Sequence, residues 1–399
     1  MKIFINPEIE TVIATHCKKT KCRKDFTSHY LYVVSNIYIR PYTDKRIDDS
    51  DFVPLNMELL RTLISKQESE IIIDNLVKLG IVENDGLSII GVKSRGYKII
   101  DKSSYKWELK EMKDRQLARK LTHKSEEMKV SIDKYGDGYR IVKDWFQLLD
   151  MDVKKAKKYI SNHFRGDQEK YNSAFCSINL FNHRMKFISV DTTSYRLHCN
   201  LTNINAELRK FFTVDGQKLA QVDISNSQPL FLGMVMKSNT TVDPVELNKY
   251  LKLVCSGQFY EYLAEKAPGT PFDLKNDEVR KKFKKSIFSG VLFDENRIKL
   301  SKWELLFQNE FPTIFAAVRQ IKEKDYNAMA IMLQKMESQF IFNAVAVIDR
   351  EIGKGKAPLL TLHDSIVSTP QYINVVQQIM ERLFQCEFGL LPKLKVVKF

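Results

Sequence analysis

Asp223 closes the apolar run LAQVD, and Asp364 sits inside the apolar run LLTLHDSIV, far along the chain. An ionised carboxylate in a buried strand is costly unless a cation or a hydrogen-bonding partner stabilises it. Either acid alone reads as a turn or a helix cap. Two of them, each at the end or turn of a strand-like run, read as a pair that one β-sheet can bring together. A third strand-like run, LKVVKF, ends the sequence, and long helical patterns separate all three. From about residue 191 onward this texture indicates an α+β domain.

The 399 residues exceed one ordinary core and suggest two or three domains. At 44% apolar and 28% charged, the chain is globular rather than disordered. No apolar run approaches the roughly 18 residues needed to span a bilayer, so no membrane partner is expected. The first residues, MKIFINPEIETVIATHCKK, contain acids and no small-residue cleavage site, so no secretory signal is read there. Six scattered cysteines fit reduced thiols in a cytoplasmic protein. Cys17 and Cys22 lack a second Cys or His pair nearby and are not read as a zinc site. With 63 Lys+Arg against 49 Asp+Glu, the net charge of +14 points to a polyanionic partner, most simply nucleic acid. Basic residues cluster at 18–24 and at 280–285.

Residues 1–101 form a first block. FVPLNMELLRTLIS and SKQESEIIIDNLVKLG carry apolar residues at helical spacing, and Gly80 gives a stop signal. IVENDG reads as a turn and LSIIGVKSRGYKII as a hairpin, with Lys93 and Arg95 near its tip. Helix, helix and two-stranded wing resemble a winged helix, whose second helix would face DNA while the wing touches phosphates. Residues 102–190 are mostly helical and charged, a connecting or thumb-like region with a solvated face or a grip on a duplex backbone.

Paired carboxylates from distant segments are what a two-metal site needs. Two Mg²⁺ ions would activate a 3′-hydroxyl and stabilise leaving pyrophosphate, each taking one or two carboxylates plus phosphate oxygens and water. The stretch DEVRKKFKKSIFSGVLF adds a second element. Arg280, Lys284, Phe288 and Leu292 recur every fourth residue, and at about 100° per residue they share one helix face. Two cations and an aromatic ring in line suit a nucleotide.

In order, VDISNSQ around Asp223, the Arg280–Lys284–Phe288 helix and HDS at 363–365 resemble the three signature motifs of family A DNA polymerases and single-subunit phage-type RNA polymerases. TSYRLHCNLTNINAELR, FQNEFPTIFAAVRQIK, MLQKMESQFIFNAVAVI and the last strand are similar to other parts of that family, so the resemblance covers roughly 190–399. It implies a right-hand fold, with palm and fingers in 191–399, the fingers at about 240–325, and the helical 102–190 region as thumb. It implies metal ligation by Asp223, Asp364 and the Ile224 carbonyl. Arg280 and Lys284 would bind the triphosphate, with Lys284 as general acid, and Phe288, Gln228 and Leu292 would complete the nucleotide site. His363, Arg196, Gln334 and Ser365 would face primer and template. The implied partners are a DNA template, a primer and dNTP or NTP, acted on by a monomer of bacterial, phage or plasmid association.

This chain departs from the family pattern at several points. Gln228 stands where DNA-making members carry Glu and RNA-making members Gly. Leu292 takes the position usually held by Tyr, and Ser365 follows His-Asp as in the RNA-making branch. No segment reads as a 3′–5′ exonuclease, so weak proofreading and low processivity are expected. The favoured expectation is a small DNA-directed DNA polymerase. The alternatives are a primase-like or phage-type RNA polymerase, a DNA-binding replication protein with an inactive palm, and a metal-dependent nuclease or transferase on an unrelated fold. Glu337, one turn beyond Gln334, reads equally as a third acid near the site or as a surface partner for a lysine.

Overall fold

The computed structural model describes residues 1–20, 25–43, 52–55, 57–86, 94–100, 107–130, 132–182, 186–267, 269 and 272–399. The chain mixes helices and strands, with helices in the majority. It forms two compact units that interleave along the sequence. The first comprises Met1–Ser131, Met151–Ile188 and Cys199–Phe211; the second comprises Ile132–Asp150, Ser189–His198 and Phe212–Phe399. None of the helices among the described residues is long and apolar enough to cross a membrane.

In the first unit, the strand Lys2–Ile5 pairs antiparallel with Glu108–Glu111, joining segments over a hundred residues apart. Asn6 caps the helix Pro7–Lys19, its Oδ1 accepting from the Glu8 and Ile9 amides at 2.9 Å each, and Pro7 gives up no useful donor at the first helical position. The core gathers around the helix Thr27–Thr43, where Val33, Val34, Ile37 and Tyr38 are buried. Two helices follow, Met57–Leu63 and Lys66–Lys78. Two of the flanking segments differ from the sequence expectation. Val53–Pro54 is a strand, and Val82–Asn84, expected as a turn, is a strand paired with Gly96–Ile99 in the register Val82↔Ile99. Alternating burial did not betray so short a strand, because only Val82 of its three residues is buried. Lys93 and Cys22 lie outside the described residues; Arg95 is exposed just before the Gly96–Ile99 strand.

The second unit is built on a four-stranded antiparallel sheet. The hairpin Leu360–Leu362 and Ser365–Ser368 lies on one side of a central strand, Ala220–Ile224, and the edge strand Leu394–Lys398 lies on the other. The central strand alternates: Ala220, Val222 and Ile224 are buried, while Gln221 and Asp223 point to the opposite, half-buried face. This period-two pattern, rather than a fully buried strand, sends Asp223 away from the core. The long helix Ala328–Ile352 and the helix Ile373–Phe388 belong to the same unit, and the rings of Phe340 and Phe384 stack between them at 4.0 Å. The helix Asp137–Leu148 approaches the long helix very closely. A Cβ on Gly138 would meet the Phe342 carbonyl oxygen at 2.0 Å, and Tyr139 stacks on Phe342 at 3.5 Å.

Five helices, Pro244–Ser256, Phe259–Lys266, Asp277–Phe288, Lys302–Glu310 and Pro312–Ile321, fill the stretch between the central strand's following helix, Ser227–Lys237, and the long helix. Polar contacts fix them to one another. Tyr250 donates to the Pro229 carbonyl at 2.9 Å, and the buried Glu246 carboxylate accepts from the Thr313 and Ile314 amides at 3.1 and 2.8 Å. Those amides open the helix Pro312–Ile321, so Glu246 satisfies donors that have no partner inside the helix.

Candidate active site

The sheet register brings the two aspartates together. Asp223 pairs with Ser365, the residue after Asp364, and the Ile224 amide donates to the Asp364 carbonyl at 3.3 Å. Asp364 occupies the two-residue hairpin turn with His363, which takes the left-handed conformation at φ 54. On its other side Asp223 pairs with Lys395. Burial raises the pKa of Asp223, offset by the Lys284 and Lys395 charges. Burial raises Asp364 further, helped by the negative charges of Glu337 and Asp223. A buried carboxyl group raised further by two neighbouring carboxylates, as Asp364 is, lacks enough counter-charge.

Facing them is a cleft of about 620 Å³. Asp223, Ile224, Gln228, Arg280, Lys284, Phe288 and Asp364 all line it, so seven of the sequence-read residues share one wall system. The helix Asp277–Phe288 buries Phe283 and Ile287 and turns Arg280, Lys284 and Phe288 to the cleft, as the fourfold spacing required. Arg280 is held by Glu261 at 2.5 Å. Burial, then the Arg280 charge, lowers the pKa of Lys284, whose ammonium stands 4.8 Å from the Tyr260 ring centroid. Tyr260 in turn meets Phe288 edge-on at 5.8 Å.

The other residues lie elsewhere. Leu292 is buried at 3% exposure and does not line the cleft. The count of four that selected it assumes α-helical geometry, but Ser289–Phe293 is a π-helical turn, with the Asp294 amide bonded to the Ser289 carbonyl at 2.7 Å. A turn closed by i→i+5 bonds takes one more residue. Phe293 therefore stands beside Phe288, their rings stacked at 6.0 Å. Ser365 is buried and its hydroxyl donates to the Leu362 carbonyl at 3.0 Å, inside the hairpin. The His363 ring lies 6.2 Å from that of His198. Gln334 is half-buried on the long helix, one turn before Glu337. Arg95 belongs to the first unit.

Glu337 is the residue whose place the sequence left open. It is 1% exposed and accepts from Arg196, Ser227 and Gln228. One signal could have found it: Glu337 is four residues from both Leu333 and Ile341 in the buried stripe of the long helix, where an unpaired carboxylate is not tolerated. Tyr260, Glu261, Lys393 and Lys395 also line the cleft without having been read from sequence. The short helix of Tyr260 and Glu261, and the edge strand that carries Lys395 and directly follows Lys393, hold no pattern that aims these residues at the aspartates. At the rim, Asn226 adopts φ 58, a strained conformation for a residue with a side chain.

No protein-family model matches the chain, and no curated protein matches it. Among solved structures it is similar to the POL domain of Pol1 from M. smegmatis in complex with DNA primer-template and dNTP. The two are 11% identical with a TM-score of 0.41, over 61% of this chain and 55% of that chain. This chain thus spans about half the length of that structure, and a likeness at that level carries no argument about fold or activity.

Proposed function

We propose that the cleft of the second unit is the active site of a template-directed nucleotidyltransferase, with DNA-directed DNA synthesis favoured. The observation that carries this reading is the juxtaposition of Asp223 and Asp364 across the sheet register, in one cleft with Arg280 and Lys284. Acids and cations in one cleft suit a substrate whose anionic part needs the cations and whose reacting centre needs bound metal.

The residues present fit Mg²⁺. Among the described residues no group of three or more His, Cys, Asp or Glu side chains could hold a metal ion unaided. Mg²⁺, however, characteristically takes one or two carboxylates and draws its remaining oxygens from substrate and water. Asp223 and Asp364, with the Ile224 carbonyl beside them, would hold it, and its charge would offset the burial and the neighbouring negative charges that raise their pKa values. Bound there, Mg²⁺ lowers the pKa of an attacking hydroxyl and neutralises charge on the leaving pyrophosphate.

The side chains supply the rest. Arg280 and Lys284 bind the triphosphate, and Arg280 exchanges Glu261 for phosphate oxygens when substrate enters. Lys284, its pKa already lowered by burial, holds a proton it can give to departing pyrophosphate. Phe288 and Tyr260 offer an aromatic wall for sugar and base. Gln228 keeps bulk at the sugar side of the cleft, which favours dNTP over NTP.

The test is extension of a primed DNA template with dNTPs, NTPs and no nucleotide, with Mg²⁺ and with chelator. Mg²⁺-dependent addition of dNMP is the expected result. A ribose-only product from an unprimed template would replace the DNA-synthesis preference with the primase-like alternative. Mg²⁺-independent DNA binding without incorporation of any nucleotide would overturn the reading in favour of a replication protein with an inactive palm.

A further inference from the structure

The helix Asp277–Phe288, which turns Arg280, Lys284 and Phe288 to the cleft, runs directly into the π turn Ser289–Phe293. Were that turn to relax to i→i+4 bonds, it would hold one residue fewer. The helix ahead of it would then rotate by about 100° against the chain that follows. Val291 and Leu292 are buried, but apolar burial is not directional and selects no rotation. Lys322 supplies a directional contact. It directly follows the helix Pro312–Ile321, is 3% exposed, and donates from Nζ to the Val291 carbonyl at 3.0 Å. That carbonyl lies in the last turn before Asp294, where acceptors lack donors from within the helix. Burial lowers the pKa of Lys322, and the charges of Glu304 and Asp294 offset part of that effect. A lysine is rarely enclosed so far, and this one spends its charge on a single turn of backbone.

The same contact completes a chain of polar links back to the aspartates. The helix Ser227–Lys237 follows the Asp223 strand, and Tyr250 donates to its Pro229 carbonyl at 2.9 Å. Glu246, on the helix of Tyr250, holds the Thr313 and Ile314 amides at the start of the helix Pro312–Ile321. Lys322 stands at the far end of that helix and reaches the π turn. Nearby, Asn296 Nδ2 donates to the Arg319 carbonyl at 2.8 Å, and Arg319 Nη2 donates to the Arg297 carbonyl at 3.2 Å. A Cβ on Gly290 would meet Ser301 Oγ at 3.3 Å, so the start of the helix Lys302–Glu310 backs the turn closely. On the nucleotide-transfer reading above, we propose that Lys322, seconded by Asn296, is a positioning residue for the cleft. It locks the π turn and so sets the rotation at which Arg280, Lys284 and Phe288 face Asp223 and Asp364. Lys322 does not line the cleft, so it acts through the helix and not by touching substrate.

The experiment uses the full chain with Mg²⁺ and two primed templates. A primer ending in a dideoxynucleotide reads dNTP affinity without transfer, and an extendable primer gives kcat and KM. Lys322→Met, which keeps the bulk and removes the donor, should weaken dNTP affinity and lower kcat/KM by about 10- to 100-fold, as misplaced binding groups do. DNA affinity should stay as in wild type. Lys322→Arg, which keeps a cationic donor, should recover most of the loss. Lys322→Met should also cost less in a Lys284→Ala background than in wild type, because both changes act on one helix face. Fully additive losses would overturn the proposal. So would a lower melting temperature with wild-type dNTP affinity well below melting, the result expected of a merely structural lysine. Should Lys322→Met fail to fold, the half-buried Asn296 decides the matter. Asn296→Ala should weaken dNTP affinity by about threefold, and unchanged affinity there would overturn the proposal. If wild type binds dNTP without incorporating it and Lys322→Met weakens that binding, the transfer reading falls and the positioning claim stands. No binding of any nucleotide by wild type would overturn both.

Discussion

Two basic-looking regions of this protein dispose their charge in different ways. In the cleft of the second unit, Arg280, Lys284, Lys393 and Lys395 share a concave wall with Asp223 and Asp364. On the helix Lys66–Lys78 of the first unit, the exposed face sets Lys66 and Lys78 against Glu70 and Asp74. The helix–helix–strand order there is what a winged helix would show, yet a face with as many acids as lysines gives phosphates no net attraction. The net charge of +14 thus says that a polyanion is a reasonable partner but not where it binds. Concave geometry concentrates charge in one region, and a helix surface averages it in the other.

The sharpest way to break this comparison is to remove the carboxylates. Asp223→Asn and Asp364→Asn should each lower incorporation by about 10³-fold or more, because metal charge stabilisation is worth several kcal/mol. DNA binding, measured by filter retention, should stay nearly intact; its loss would make the aspartates structural. Next in size, Lys284→Ala should lower kcat/KM by about 10- to 100-fold, with both kcat and KM affected, since it touches the triphosphate in ground and transition states. An effect on KM alone would remove its role in proton transfer.

Stability effects come next. Gly138→Ala should cost about 1–3 kcal/mol in urea unfolding, because the new Cβ collides with backbone rather than with a flexible side chain. An unchanged midpoint would show that the close helix crossing relaxes freely. The aspartates also predict a pH dependence. Both have folded-state pKa values raised by burial, so the folded chain binds their protons more tightly than the unfolded chain does. That contribution is fully present below the ordinary aspartate range and is lost as pH rises through the raised values. Without divalent cations, the wild type minus Asp223→Asn/Asp364→Asn difference in melting temperature should therefore grow more negative as pH rises from about 4 to 8. Mg²⁺ should shrink that difference most at the upper end, where the carboxylates are ionised. A flat difference would contradict the crowding of these two groups.

The smallest effect should come from the other region. Replacing Lys66 and Lys78 by Gln should change DNA affinity by less than about twofold, as for a surface outside any contact. A tenfold loss, with a shallower salt dependence, would mean that this helix does grip a phosphate backbone and that both regions bind polyanions.

Much of the cleft was legible because it depends on short-range periodicity. Fourfold spacing placed Arg280, Lys284 and Phe288 on one face, and the apolar runs around Asp223 and Asp364 announced strands. Periodicity failed where the local helix changed type: counting by four chose Leu292, and the π turn put Phe293 beside Phe288 instead. It also failed for strands too short to alternate, as at Val82–Asn84.

The sequence by itself determined which residues could do chemistry and on which face of its own element each would lie, because side-chain direction follows from backbone period. Only the tertiary structure decided which elements meet. The register that sets Asp223 opposite Ser365, the interleaving of the two units, and the burial of Glu337 against Arg196, Ser227 and Gln228 all join segments distant along the chain. Such contacts are selected by packing and hydrogen-bond satisfaction across the whole fold, and no local pattern in one segment encodes its partner in another.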